Sequence, residues 1–157
     1  MGQPPAPLDR SPSPNASAWE GLVPLLLDTG ALYALADADD DWHIRVRDFL
    51  KAERQSLLVP VTVIPEAAYL MRKRLGAALE TRFAESLAAG EMAVENLTLR
   101  DLTRCAELLH IYDFLGFVDA SIVAIAERLK LRALVTTDRR DFARVRPAHV
   151  AAFQLLP

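Results

Sequence analysis

Leu25-Leu26-Leu27-Asp28-Thr29-Gly30-Ala31-Leu32-Tyr33-Ala34-Leu35 joins a short, wholly apolar run to a carboxylate, a hydroxyl and a glycine. A continuous apolar run of this length fits a strand buried on both faces, as in a parallel sheet. Thr29-Gly30 then turns the chain into a helix. The same pattern recurs downstream. Leu57-Leu58-Val59, Met92-Ala93-Val94, Ala133-Leu134-Val135 and Val150-Ala151-Ala152-Phe153 are the other expected strands. Periodic segments over 31–36, 42–55, 65–74, 77–89, 99–112 and 119–129 are the expected helices. Short apolar strands alternating with helices define an α/β fold with a mainly parallel sheet of about five strands. Within 99–112, Leu99, Leu102, Ala106 and Leu109 recur at spacings of three and four, which predicts a core-facing stripe with Cys105 beside it.

A length of 157 residues suits one domain, and 52% hydrophobic with 25% charged residues is a globular composition. Mean hydropathy is +0.13. The longest apolar runs, such as 22–27, fall far short of the roughly 20 residues that a membrane span needs, so no membrane partner is expected. Five of the ten prolines lie between Pro4 and Pro14, interleaved with Ser11, Ser13, Asn15 and Ser17. Such a stretch has too little apolar surface to fold alone, so residues 1–22 are expected to be a disordered arm and 23–157 the domain. The arm lacks the basic start and apolar centre of a signal peptide. Cys105 is the lone cysteine, which excludes an internal disulfide and suits a reducing cytoplasm. His43, His110 and His149 have neither the spacing nor the cysteine companions of a zinc site.

Open α/β sheets bind ligands at the carboxyl ends of their strands, so acids that close apolar strands come first. Asp28 closes the first strand; taken alone it reads first as an N-cap, since aspartate satisfies free amides at a helix start. Glu66 follows Pro65 after the second strand, where an acid also suits the positive end of the helix dipole. Asp119 shares a helical face with Ile122, Val123 and Ala126, so it is a carboxylate on the apolar side, costly unless capped, paired or metal-bound. Asp138 closes the fourth strand after Thr136-Thr137, and Asp141 lies three residues on. Convergence of these acids at one sheet edge is what the separate local roles leave unexplained. Packed carboxylates repel one another, and a hard divalent cation is the usual remedy. Mg²⁺ or Mn²⁺ in such a cluster can activate water against a phosphodiester. The net charge of -3, from 18 basic and 21 acidic residues, is unlike a nucleic-acid binder, yet setting the five acids aside leaves 18 basic against 16 acidic. Arg72, Lys73, Arg74, Arg139 and Arg140 are candidate contacts to a phosphodiester backbone, with ordinary solvated helix ends as the competing reading.

Four stretches together resemble a PIN domain, and specifically a VapC-type toxin of toxin–antitoxin pairs. They are the run from Leu26 to Leu35, Glu66, Gly116-Phe117-Val118-Asp119-Ala120-Ser121-Ile122-Val123-Ala124, and Thr136-Thr137-Asp138-Arg139-Arg140-Asp141-Phe142. The resemblance covers nearly everything after residue 24. It implies a three-layer α/β/α sandwich with a central groove and Mg²⁺- or Mn²⁺-dependent cleavage of single-stranded RNA. On that likeness Asp28, Glu66, Asp119 and Asp138 are catalytic and metal-holding, with Asp141 as an outer ligand. Thr29 and Thr136 then orient carboxylates. A homodimer and a small antitoxin whose segment occupies the groove are also implied. The proline-rich arm departs from the compact family pattern.

Other α/β classes fit poorly. A phosphoacceptor receiver wants an acidic pair after the first strand and a lysine after the last, where Leu27-Asp28 and Phe153-Gln154 stand. A dehalogenase-type phosphatase wants an aspartate at Gly30. With six glycines in the chain there is no phosphate-cradling cluster. A non-catalytic RNA-binding module and a nuclease acting on DNA, or in RNA processing outside a toxin pair, stay open as alternatives.

Overall fold

β1 (Leu25–Leu27) takes the centre of the sheet because all three of its leucines are buried, Leu26 and Leu27 completely. The computed structural model describes residues 23–157; the arm expected over 1–22 lies outside the described residues. After β1 come α1 (Thr29–Ala36), α2 (His43–Ala52), β2 (Leu57–Pro60), α3 (Val63–Leu75), α4 (Ala77–Ala88) and β3 (Ala93–Glu95). The second half adds α5 (Leu99–Ile111), α6 (Phe117–Leu129), β4 (Ala133–Val135), α7 (Arg139–Phe142) and β5 (Gln154–Leu156). The five strands run in the order β3-β2-β1-β4-β5, and every neighbouring pair is parallel.

The chain walks outward from β1 through β2 to β3, then returns to the other side of β1 as β4. The order therefore reverses between β1 and β4, and a crevice opens at their carboxyl ends. Both ends carry an aspartate, Asp28 and Asp138. The helices flank the sheet as two groups: α1 packs on α2 and α3, and α3 on α4, while α5 packs on α6. Leu26, Leu58, Leu134, Ile122 and Ile125 are fully buried between these layers. Each contributes about 1.5–3 kcal/mol by leaving water.

Three expectations need correction. The fifth strand is Gln154–Leu156, not 150–153. An edge strand pairs on one side only and needs no continuous apolar run, so the pairing with β4 falls on a half-buried triplet. Phe153 instead anchors the preceding loop in the core, edge-on to Phe142. The stripe on α5 also turns outward: Leu99 is 65% and Leu102 41% exposed, while Asp101, Cys105 and Leu108 are buried. Arg128 of α6 binds Asp101 at 3.0 Å and Glu95 at 2.9 Å, and that ion pairing lets an acid face the interior in place of leucine. Finally, α6 begins at Phe117 after the N-cap Gly116, so Asp119 occupies the third helical position and not the first.

Candidate active site

Asp28 ends β1 in extended backbone and caps α1 by accepting from the Ala31 amide at 2.7 Å. Its second oxygen accepts from the Thr136 hydroxyl at the end of β4. That hydroxyl in turn accepts from the Asp138 amide at 2.9 Å. One threonine thus ties the two central strand ends together and fixes two aspartates. Gly30 makes room for this closure, because a Cβ there would lie 2.2 Å from the Thr137 hydroxyl. Asp138 caps the short α7 by accepting from the Asp141 amide at 3.1 Å. Glu66, in the first turn of α3, accepts from the Thr29 hydroxyl at 2.5 Å. α3 begins at Val63, two residues before Pro65, so the proline falls inside the first turn.

Asp28, Glu66, Asp119 and Asp138 line one cavity of about 250 Å³, with Thr29, Tyr33, Asp40 and Thr137 among its other walls. Sequence reasoning missed Asp40, although the acidic run Asp39-Asp40-Asp41 directly after α1 was the available signal. Its carboxylate accepts from the Trp42 amide at 2.8 Å, holding the turn at the cavity edge. Asp141 is not among the walls; its carboxylate faces Arg140 at 3.5 Å and Arg144 at 3.7 Å. A roomier cavity of about 340 Å³, between α1, α3 and α4, is lined mainly by leucine, methionine and phenylalanine and gathers no acids comparable to these.

The cations separate by what they touch. Arg72 pairs with Glu80 at 2.6 Å, and Lys73 lies 5.4 Å over the Tyr69 ring. Arg139 donates to the Leu155 and Pro157 carbonyls at 2.8 Å each, so it staples α7 to β5. Arg140 is almost wholly exposed. Arg74 alone of the five stacks on a wall of the acidic cavity, 5.4 Å over the Tyr33 ring.

Burial pushes the Asp28 carboxyl up to about 7, against the lowering bonds from Thr136 and Ala31, and the charges of Asp119 and Asp138 push it further. Asp119 rises to about 6, chiefly by burial, against a lowering bond from the Gly116 backbone, with Asp138, Glu66 and Asp141 adding repulsion. Among the described residues no three acidic, histidine or cysteine side chains already stand as a closed ligand set. Asp28 spends both oxygens, and Glu66 one, on local hydroxyl and amide donors. An oxygen-only donor group whose members raise one another's proton affinity nevertheless fits a hard divalent cation, which relieves that repulsion.

A carboxyl whose folded-state value lies above its unfolded value binds more protons folded than unfolded between the two. For Asp28 that interval runs from 3.8 to about 7. In EDTA the protein is therefore expected to lose stability as pH rises from about 4 to about 7, and Asp28→Asn should flatten the slope. Urea unfolding at intervals across that range checks this; stability rising with pH would contradict it.

Comparison with known proteins shows the family. Residues 25–147 match the family model described as PIN domain. Ribonuclease VapC26 of Mycobacterium tuberculosis is 30% identical over 135 residues, spanning 85% of this chain and 100% of that protein. The crystal structure of Mycobacterium tuberculosis VapC20, described as a Sarcin-Ricin loop cleaving toxin, superposes with TM-score 0.69 at 21% identity, covering 74% of this chain and 91% of that one. A toxin–antitoxin complex from Klebsiella pneumoniae gives TM-score 0.62 at 23% identity, covering 77% and 92%. VapBC2 from Rickettsia felis, bound to a DNA fragment from its promoter, gives 0.64 at 15%, covering 86% and 100%.

Proposed function

Since this chain belongs to the PIN-domain family as a VapC-type ribonuclease toxin, we propose that it hydrolyses RNA phosphodiester bonds at the cavity between β1 and β4. The single observation that carries this reading is the meeting of Asp28, Glu66, Asp119 and Asp138, from four separate stretches of chain, around one cavity. They would hold Mg²⁺ or Mn²⁺, whose chemistry is to activate water and stabilise the charge on a phosphodiester under attack.

The chain's own residues prepare that chemistry. Thr136 and Thr29 aim the Asp28 and Glu66 carboxylates and keep them from swinging. Asp28 and Asp119, raised to about 7 and about 6, change protonation close to neutral pH, so cation binding is expected to strengthen as both lose their protons. Among the described residues the cavity walls hold no lysine or arginine, and a polyanion entering there needs a cation at the edge. Arg74, stacked on Tyr33, is placed to give it; Tyr33 is itself held by a 2.7 Å bond from its hydroxyl to Asp37. Arg74→Ala is expected to raise KM for single-stranded RNA with kcat little changed, and to flatten the salt dependence of log KM by about 0.7, the share of one phosphate contact. Steady-state cleavage at several salt concentrations measures both. An unchanged salt slope would remove Arg74 from the interface.

The similar solved structures from Klebsiella pneumoniae and Rickettsia felis hold a toxin with its antitoxin, which supports an antitoxin as partner here too. We place a segment of it over the acidic cavity, and take a homodimer and a cytoplasmic location as part of the same reading. No helix among the described residues is long and apolar enough to cross a membrane. Cleavage of an RNA strand and of the matching DNA strand, each with Mn²⁺ and with EDTA, tests the assignment. Cutting of RNA that stops in EDTA supports it; equal cutting of DNA would move the activity to the wider nuclease class, because the 2′-hydroxyl distinguishes the two.

A further inference from the structure

The helices that carry Glu66 and Asp119 both touch β2 but pack on different helices: α3 on α1 and α4, α6 on α5. Among the described residues one side-chain hydrogen bond links the start of α3 to α6, with Thr62 Oγ1 2.5 Å from Ser121 Oγ. Ser121 is fully buried, and its hydroxyl donates to the Val118 carbonyl at 2.6 Å. A serine hydroxyl has one proton to give. With that proton on Val118, Thr62 is the donor and Ser121 the acceptor. Threonine at an N-cap ordinarily accepts from its own helix. Thr62 is the N-cap of α3 but makes no such bond; its hydroxyl is spent across the gap to α6.

The positions at the two ends of this link matter. Thr62 lies one turn before Glu66, Ser121 lies two residues after Asp119, and Val118 is Asp119's neighbour. Glu66 and Asp119 already interact electrostatically across the cavity. Ligands that share an ion tolerate only about 0.5 Å of misplacement. We propose that Thr62 and Ser121 are positioning residues: the relay from the Thr62 hydroxyl through Ser121 to the Val118 carbonyl fixes Glu66 against Asp119 and so sets the affinity of the site for its divalent cation. The inference rests on the reading of these acids as ligands, and neither hydroxyl touches the ion.

Calorimetric titration of Mn²⁺ into the full chain, beside thermal melts in EDTA, tests it. Thr62→Val keeps the side-chain shape and removes the donor. Mn²⁺ binding should weaken about 10-fold, the lower bound for losing an outer-sphere partner. The melting temperature in EDTA should stay close to wild type, and Thr62→Ser should restore affinity. Ser121→Ala should show the same loss, and the double variant no more than either single, because one link is broken in each. If Thr62→Val fails to fold, Ser121→Ala decides alone. Wild-type affinity in Thr62→Val or Ser121→Ala, no rescue by Thr62→Ser, or losses that multiply in the double variant would overturn the proposal. Failure of the wild-type protein to bind Mn²⁺ would remove the site reading and this inference together; binding that ignores both hydroxyls removes the inference alone.

Discussion

Asp119→Asn is expected to lower metal-dependent RNA cleavage by about 10²- to 10⁴-fold, the range a single positioned charged or proton-transferring group supplies. The substitution keeps the shape of the side chain and an oxygen that can accept the Gly116 backbone bond, while it deletes the charge. Folding should not suffer. Asp119 is half-buried and pushed up to about 6 by burial and by Asp138, Glu66 and Asp141, so a neutral amide relieves strain that the native acid bears. The expected pattern is thus lost turnover with a melting temperature in EDTA equal to or above wild type. A purified variant that still cleaves RNA at the native rate would remove Asp119 from the chemistry. A variant that unfolds would show that the charge of Asp119 itself supports the fold, since asparagine keeps the acceptor for the Gly116 backbone.

Arg128→Ala is expected to cost about 3 kcal/mol of folding stability, the lower end of the range for breaking a buried ion pair, since the arginine side chain is itself 25% exposed. Its guanidinium holds two carboxylates that are each only 2% exposed, Glu95 at the end of β3 and Asp101 in the first turn of α5. Truncation removes the arginine charge from beside both buried acids. Asp101 keeps its capping-box bonds to Thr98, which limits the loss. The damage reaches function indirectly, because α6 carries Arg128 in its last turn and Asp119 in its first. Urea unfolding measures the cost; a change under about 1 kcal/mol would show that the network is worth no more than a surface pair.

The same arginine explains where reading the sequence stopped short. Helical periodicity ranks positions by apolar character, and on α5 that ranking selects Leu99 and Leu102. The structure buries Asp101 and Cys105 instead, because a partner 27 positions away makes the acid tolerable. No local pattern carries that pairing. β5 was displaced for a related reason: an edge strand earns its place by pairing with β4, not by its own apolar run. Arg139 looked like a phosphate contact, but its guanidinium is committed to the carbonyls of Leu155 in β5 and Pro157 just after it, across 16 and 18 positions.

What was legible is the set of acids, and the reason is topological. β1 and β4 are short, wholly apolar and parallel, so the first polar residues after each must emerge at the same edge of the sheet. Asp28 and Asp138 obey that rule, and Thr136 physically joins them. Capping a helix coexists with a place on the cavity wall. Asp28 does cap α1, and Asp138 does cap α7, while both line the cavity. The Thr62–Ser121 link acts through two hydroxyls 59 positions apart, for which neither periodicity nor charge gives a signal. Asp40, in contrast, lies in an acidic run whose loop gives no indication of which member reaches the cavity.

The most direct trial of the account is an anomalous difference map from crystals of the protein soaked in Mn²⁺ at about pH 8, where Asp28 and Asp119 have lost their protons. A peak enclosed by Asp28, Glu66, Asp119 and Asp138 is the expected result. Manganese bound only elsewhere on the protein, with that cavity bare, would contradict it.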